Sequence, residues 1–185
     1  MEPRELTGDA ILRPLAVDDL AELHALIERN RAHLAQWLPW AARQQREQTL
    51  EFLRAAERQA ATDNGVQLAI VERGQIVGST GFHAIDWGRG FTSIGYWLAR
   101  DAQGRGLATL SVRACVEQAF GAWRLERIEI RAAPDNLRSR AIPQRLGFRE
   151  LGRLRAVEHV GDRWVDHVVY ELRAADWVSA PPAAP

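Results

Sequence analysis

The sequence predicts an α+β (mixed α/β) fold, a central sheet with helices on both faces. Three observations carry this. Strand-like and helix-like runs follow in the order β-αα-βββ-α-β-α-ββ, with strands crowding the middle and helices interrupting them without strict alternation. At 185 residues the chain is long enough to bury a core of its own. No internal repeat or linker divides it, so residues 1–178 read as a single domain and 179–185, rich in Ala and Pro, as a disordered tail.

Ile11-Leu12-Arg13-Pro14-Leu15 reads as the first strand, with Pro14 placing it at a sheet edge or near its own end. Asp18 or Asp19 then caps a helix that carries Leu20, Leu23, Leu26 and Ile27 at helical spacing. Trp37-Leu38-Pro39-Trp40 interrupts that run. A second helix covers about residues 43–62, with Leu50, Leu53 and Ala56 on one face, and Asn64-Gly65 stops it. Residues 66–72 and 75–83 form a hairpin around Arg73-Gly74. A turn-rich link at 86–90 leads to a strand at 92–98. The next helix, ending near Trp123, sets Val112, Val116, Ala119, Phe120 and Trp123 along one face. Arg127-Ile128-Glu129-Ile130-Arg131 alternates, which predicts a strand with one wet face. Asp135-Asn136 opens a short helix that Gly147 ends, and 148–151 and 164–172 are the last strands.

Composition narrows the function classes. The 24 acidic residues balance 24 basic ones, which argues against a nucleic-acid or anionic-membrane footprint. Every basic residue is Arg, so the chain carries no side-chain amine. Cys115 has no cysteine partner in the chain, and its helix-like surroundings predict a buried, inert thiol. No apolar leader follows Glu2 and Glu5, and no apolar run reaches membrane-spanning length. The expectation is a cytoplasmic protein.

The richest signal is Gln103-Gly104-Arg105-Gly106-Leu107-Ala108-Thr109, between the 92–98 strand and the following helix. A Gly-rich loop at a helix N-terminus brings several backbone N–H groups close to a phosphate, where side chains would block the approach. The helix dipole adds partial positive charge there, and Arg100 and Arg105 add full charges. A phosphorylated ligand is therefore expected. A P-loop is excluded because no Gly-Lys-Ser/Thr follows. A dinucleotide motif fails because Thr109 stands at its third Gly and the loop lies far from the first strand. Glu126 has the right distance for that motif but precedes its strand instead of ending it.

The remaining candidate is the pyrophosphate of coenzyme A. Gln103, Gly106 and Ala108 match the pattern Gln/Arg-x-x-Gly-x-Gly/Ala. Ile94-Gly95-Tyr96-Trp97-Leu98 precedes it, and Asn136-Leu137-Arg138-Ser139, Leu146-Gly147-Phe148 and Trp164-Val165-Asp166-His167-Val168-Val169-Tyr170 follow. His33-Leu34, Trp37-Leu38 and Pro39-Trp40 lie upstream. In this order and spacing the chain, over roughly residues 8–175, resembles the GNAT superfamily of acyl-CoA-dependent N-acetyltransferases. Within it, the resemblance is to the branch containing the ribosomal-protein N-terminal acetyltransferases (RimJ/RimL type). The resemblance implies a GNAT-type central sheet, mixed but mostly antiparallel. It implies acetyl-CoA as co-substrate, an amine acceptor, no metal, and direct attack within a ternary complex. Cofactor contacts are implied at Trp97, Leu98, Ala99 and Arg100, at Gln103, Gly104, Arg105, Gly106, Leu107, Ala108 and Thr109, and at Asn136 and Ser139. One departure stands out. Pro143 lies inside the short helix, removes a helical hydrogen bond, and is expected to bend the segment beyond Ser139 and alter its aim.

Attack of an amine on a thioester needs a held cofactor, a polarised carbonyl, a deprotonated amine and a proton for the leaving thiolate. The resemblance assigns polarisation to backbone N–H near Leu98, on a strand that splays from its neighbour in that family. It assigns thiolate protonation to Ser139, although Asn136 and Ser139 are also ordinary helix-capping residues at capping spacing. It assigns the base to Glu158, with His83 as runner-up; a solvated Glu and a structural His are the plainer readings. Trp37, Trp40, Trp87 and Trp97 are candidates for an acceptor groove, with core packing or a homodimer contact as the alternative; Trp37 and Trp40 lie on a Pro-broken segment that suits a rim. His159, Asp162, Asp166 and His167 match no zinc spacing and read as strand or surface residues. An α-amine of pKa about 7.7–8.0 is roughly one-tenth neutral at pH 7, whereas a Lys amine near 10.4 is neutral only about 0.04% of the time. A weakly placed base therefore suits an N-terminal α-amine first. A small amine such as a polyamine, amino acid or aminoglycoside comes second, and a non-catalytic acyl-CoA-binding module third.

Overall fold

Residues 1–177, described by a computed structural model, build an eight-stranded sheet in the order β1-β2-β3-β4-β5-β6-β8-β7. The strands are β1 (Arg4–Thr7), β2 (Ala10–Pro14), β3 (Gln67–Glu72), β4 (Gln75–Phe82), β5 (Phe91–Leu98), β6 (Arg127–Ala132), β7 (Arg149–Val160) and β8 (Arg163–Arg173). The helices are α1 (Leu20–Leu34), α2 (Arg46–Ala61), α3 (Leu107–Glu117) and α4 (Leu137–Arg145). The tail expected at 179–185 lies outside the described residues. All neighbouring strands are antiparallel except β5 and β6, which run parallel. The mixed, mostly antiparallel sheet is thus as the sequence led us to expect.

The helices cover both faces. In β4 and β5, directly paired residues share a face: Thr80 with Tyr96, and Ser79 with Trp97. On the even-numbered face, Thr80 meets the buried Cys115 of α3, and Phe82 packs edge-on against Trp123. On the odd-numbered face, Trp40, from the 3₁₀ turn between α1 and α2, packs edge-on against Trp97. Burial pushes the Cys115 thiol up to about 12, so it is the inert apolar residue its setting implied. The core is one buried cluster to which α1 and α2 give Leu23 and Leu53, β2 and β3 give Leu12, Leu68 and Ile70, α3 gives Val112 and Val116, and β6 and β8 give Ile128, Ile130 and Tyr170.

Four details depart from expectation. β1 precedes the first expected strand and takes the sheet edge, while Pro14 ends β2, the second of its two expected placements. Asp19 does not cap α1 with its side chain. Its carboxylate accepts the Ala16 N–H at 2.9 Å and pairs bidentately with Arg13 at 2.7 and 2.8 Å. The third helix leaves α geometry at Glu117 and closes through a π turn, Gln118–Ala122. The strand expected at 148–151 runs on to Val160. Two bulges, at Leu151–Gly152 and at 155–157, keep β7 in register with β8, and Asp166 holds the second by accepting the Ala156 N–H at 2.7 Å.

Candidate active site

The opening between β5 and β6 organises the site. These parallel strands pair only over Phe91–Ser93 and Arg127–Glu129, and then part. The antiparallel ladder decides which groups face the gap. Ala99 donates to Val77 at 2.8 Å and His83 donates to Ser93 at 2.9 Å, so odd-numbered residues of β5 spend their backbone groups on β4. The even-numbered Tyr96 and Leu98 therefore turn theirs towards the β6 side, beyond the last paired residue. Leu98 is the residue expected to offer its amide there. Ala99 and Arg100 are differently placed: the Ala99 N–H is taken by Val77, and the Arg100 N–H by Asn30 Oδ1 at 2.9 Å.

The chain leaves β5 through a 3₁₀ turn (Arg100–Ala102) and enters α3 through the glycine loop. Gly104 and Gly106 have φ of +82° and +79°, and a Cβ built on either meets nothing within 4 Å. The chain's own packing therefore does not demand glycine here; the left-handed backbone and the open space in front of it do. The N–H groups of Gly104, Arg105, Gly106, Leu107, Ala108 and Thr109 have no acceptor among the described residues, and the next, Leu110, bonds to Gly106 O at 3.0 Å. Six donors at the positive end of a helix, beside open space, fit a diphosphate.

Arg105, expected to lend its charge to the ligand, instead pairs with Glu72 of β3 at 2.7 Å, which balances that charge and ties the loop to the sheet. Gln103 is a clasp. Its Nε2 lies 2.9 Å from His33 Nε2, and its Oε1 accepts from Arg138 Nη1 at 2.7 Å. An amide nitrogen only donates, so these partners assign His33 Nε2 as the acceptor and the ring as neutral. Burial, then the charges of Arg100 and Arg138, hold His33 below its ordinary pKa; the Leu98 backbone pulls the other way.

α4 carries Ser139. Asn136 Oδ1 caps this helix by accepting the Ser139 N–H at 3.1 Å, so its side-chain oxygen serves the fold. Ser139 Oγ donates to Tyr96 Oη at 3.2 Å, and Tyr96 Oη donates to the Ser139 carbonyl at 3.0 Å. Pro143 does stand within the helix, yet α4 runs through it and Ser139 reaches Tyr96 of β5. Arg140, next in sequence, bonds Tyr170 Oη at 2.8 Å and Pro134 O at 3.0 Å, which fixes α4 against β8.

The two base candidates are separated by strand. Glu158 sits on β7 opposite Val165, beyond the end of β6 at Ala132, and its carboxylate is 3.0 Å from His167 Nε2. His83 Nδ1 meets Ser93 Oγ at 2.8 Å and its ring lies over Gly95, on the same face as Trp97 and Trp40. Trp37 is half-buried at the turn after α1, while Trp40 is 39% exposed. Tyr96, His33 and Arg138 stood in the quoted motifs but were given no role from sequence. A signal for Tyr96 did exist, because it alternates with Leu98 and so shares its side of the strand. Among the described residues, no group of three His, Cys, Asp or Glu is placed to hold a metal ion.

Comparison with known proteins agrees with this geometry. The putative ribosomal N-acetyltransferase YdaF of Bacillus subtilis is 33% identical over 171 residues, covering 90% of this chain and 92% of that protein. A crystal structure of a probable acetyltransferase, 30% identical, superimposes with a TM-score of 0.90 and covers 95% of this chain and 98% of its own. Mycobacterium smegmatis RimJ, solved in complex with CoA-disulfide, is 27% identical with a TM-score of 0.85, covering 95% of this chain and 91% of that one. Residues 9–149 match the acetyltransferase (GNAT) domain family. A parting of two parallel strands beside a free-amide helix start, with the sequence match across both, places this chain in the GNAT acetyltransferase family.

Proposed function

We propose that the protein transfers an acetyl group from acetyl-CoA to an N-terminal α-amine of a protein, a ribosomal protein first. The observation that carries the donor half is the row of six unengaged amides, Gly104 to Thr109, beside the β5/β6 opening. RimJ with bound CoA-disulfide supports it, and YdaF, described as a putative ribosomal N-acetyltransferase, supports the acceptor.

Bound acetyl-CoA supplies an activated acyl group as a thioester. The amides of the glycine loop hold the diphosphate, with the α3 dipole behind them. The Leu98 N–H, turned into the gap, is the donor for the acyl oxygen, where it meets the negative charge that develops during attack. Ser139 relays a proton to the departing thiolate, its hydroxyl giving one proton as it takes another from water, so that it carries no charge. The acceptor enters from the face bearing Trp40, Trp97 and His83, opposite the face that packs α3. Glu158 takes the amine proton, directly or through water. The whole of residues 1–178 serves as one catalytic domain.

The test is a mass-spectrometric screen of the full-length protein with acetyl-CoA against peptides bearing ribosomal-protein N-termini, peptides with internal Lys only, and a panel of small amines. Acetyl gain on N-terminal peptides is the expected result. Gain on small amines alone moves the acceptor class, and no gain on any amine, with CoA bound, leaves a binding module.

A further inference from the structure

Pro143 has no N–H. In an α-helix that N–H would bond the carbonyl four residues earlier, and four residues before Pro143 is Ser139. The Ser139 carbonyl is therefore stripped of its helical partner, inside a contact between α4 and the sheet. Tyr96 donates its phenol proton to that same carbonyl at 3.0 Å. With the proton committed, the phenol oxygen is left as an acceptor, and Ser139 Oγ donates to it at 3.2 Å.

We propose that Tyr96 is a positioning residue for Ser139, and that Pro143 recruits it by vacating the Ser139 carbonyl. The inference rests on the reading of Ser139 given above and extends it. Without Pro143 the carbonyl would be bonded within the helix, and the phenol would be free to point its proton at Oγ or elsewhere. With Pro143 there is one satisfied arrangement: phenol proton to carbonyl, hydroxyl proton to phenol. Ser139 Oγ is thereby fixed in place before the reaction, and its O–H turns from the phenol to the thiolate as that group departs, so Tyr96 sets where the oxygen sits and not where its proton finally goes. Two further observations fit a positioning role better than a proton-donating one. Burial pushes the Tyr96 phenol well above its ordinary range, so a phenolate here is disfavoured. Arg140 is held by Tyr170 and Pro134, so α4 cannot turn to offer the Ser139 carbonyl to another donor.

Two cycles on the full-length enzyme test this. In the first, kcat and the KM for acetyl-CoA are measured for wild type, Tyr96→Phe, Ser139→Ala and the double variant. Tyr96→Phe is expected to lower kcat by about tenfold, the factor one hydrogen bond carries, with the KM for acetyl-CoA unchanged. Added to Ser139→Ala it is expected to lower kcat no further, because it acts through Ser139. A second, equal loss in the double variant overturns the positioning role. In the second cycle, Tm is measured for wild type, Tyr96→Phe, Pro143→Ala and their double. Tyr96→Phe is expected to lower Tm clearly when Pro143 is present and much less in the Pro143→Ala background, where the helix supplies the missing donor. Equal Tm losses in the two backgrounds overturn the recruitment. Should Ser139→Ala leave kcat unchanged, the role of Ser139 itself fails, while the thermal cycle still decides whether Pro143 and Tyr96 are coupled.

Discussion

Gly106 gives the sharpest test of whether the glycine loop binds a ligand or only turns the chain. It has φ +79°, and a Cβ placed there meets nothing within 4 Å. Gly106→Ala therefore costs no clash with the protein, only the strain of an L-residue in left-handed backbone, about 1–2 kcal/mol. For a domain of this size that is a fall in Tm of roughly 2–8 °C. Gly106→Asn costs less, because Asn tolerates this region. The two readings then separate. If the loop is only a turn, Asn restores nearly everything, and the KM for acetyl-CoA follows stability back to wild type. If the amides of Gly104 to Thr109 receive a diphosphate, either side chain stands in the approach, and Asn does not rescue. We expect acetyl-CoA affinity to fall at least tenfold in both variants, which is the loss of about 1.4 kcal/mol of binding, while Asn recovers most of the Tm. The assays are isothermal titration with acetyl-CoA and with CoA, alongside thermal unfolding. Wild-type affinity in Gly106→Asn would refute the cradle.

Other expectations concern titration. His33 is held below its ordinary pKa, so between that lowered value and about 6.5 the unfolded chain binds a proton that the folded chain does not. Stability therefore rises with pH through this window, is lost as pH falls through it, and levels off below the folded value. Denaturant unfolding across pH 5–7 should show a shallower slope in His33→Gln than in wild type; parallel curves would remove His33 from the account. Because a protonated His33 cannot accept from Gln103, the KM for acetyl-CoA should also rise on the acid side in wild type and not in the variant. Glu158→Gln should lower kcat on the order of 10²-fold. An unchanged kcat would pass the base role to His83, whose replacement by Asn should then have that effect.

How much of this was legible in the sequence depends on the separation of the partners. The glycine loop, the Asn136 cap and the turns at Arg73-Gly74 and Asn64-Gly65 are decided within a few residues, and they stand where the sequence placed them. β1 was hidden because Arg4-Glu5-Leu6-Thr7 offers one apolar residue, and its pairing with β2 supplies the rest. β7 was cut short because its side chains from Arg149 to His159 are almost all exposed, so no alternation marks it; the ladder with β8 and two bulges make it a strand. Glu158 accordingly owes its position to a bulge of Arg155, Ala156 and Val157 held by Asp166, and not to its distance from Gly147 along the chain.

The groups at the centre of the proposed chemistry are brought together over much longer spans. Gln103 meets His33 across 70 residues and Tyr96 meets Ser139 across 43. The opening itself exists because β5 and β6 stop pairing after three residues, a property of how two distant strands diverge. Pro143 shows where local and distant information join. From sequence it announces a lost helical bond, and counting back four residues names Ser139 as the group that loses it. The expected result was a bend that misdirects Ser139. The structure shows the opposite outcome, because a donor 43 residues away occupies the vacated carbonyl and then accepts from the hydroxyl of the same residue. A helix-breaking residue beside a catalytic candidate is thus a reason to look for the group that answers the orphaned carbonyl, since that group is the one able to fix the side chain.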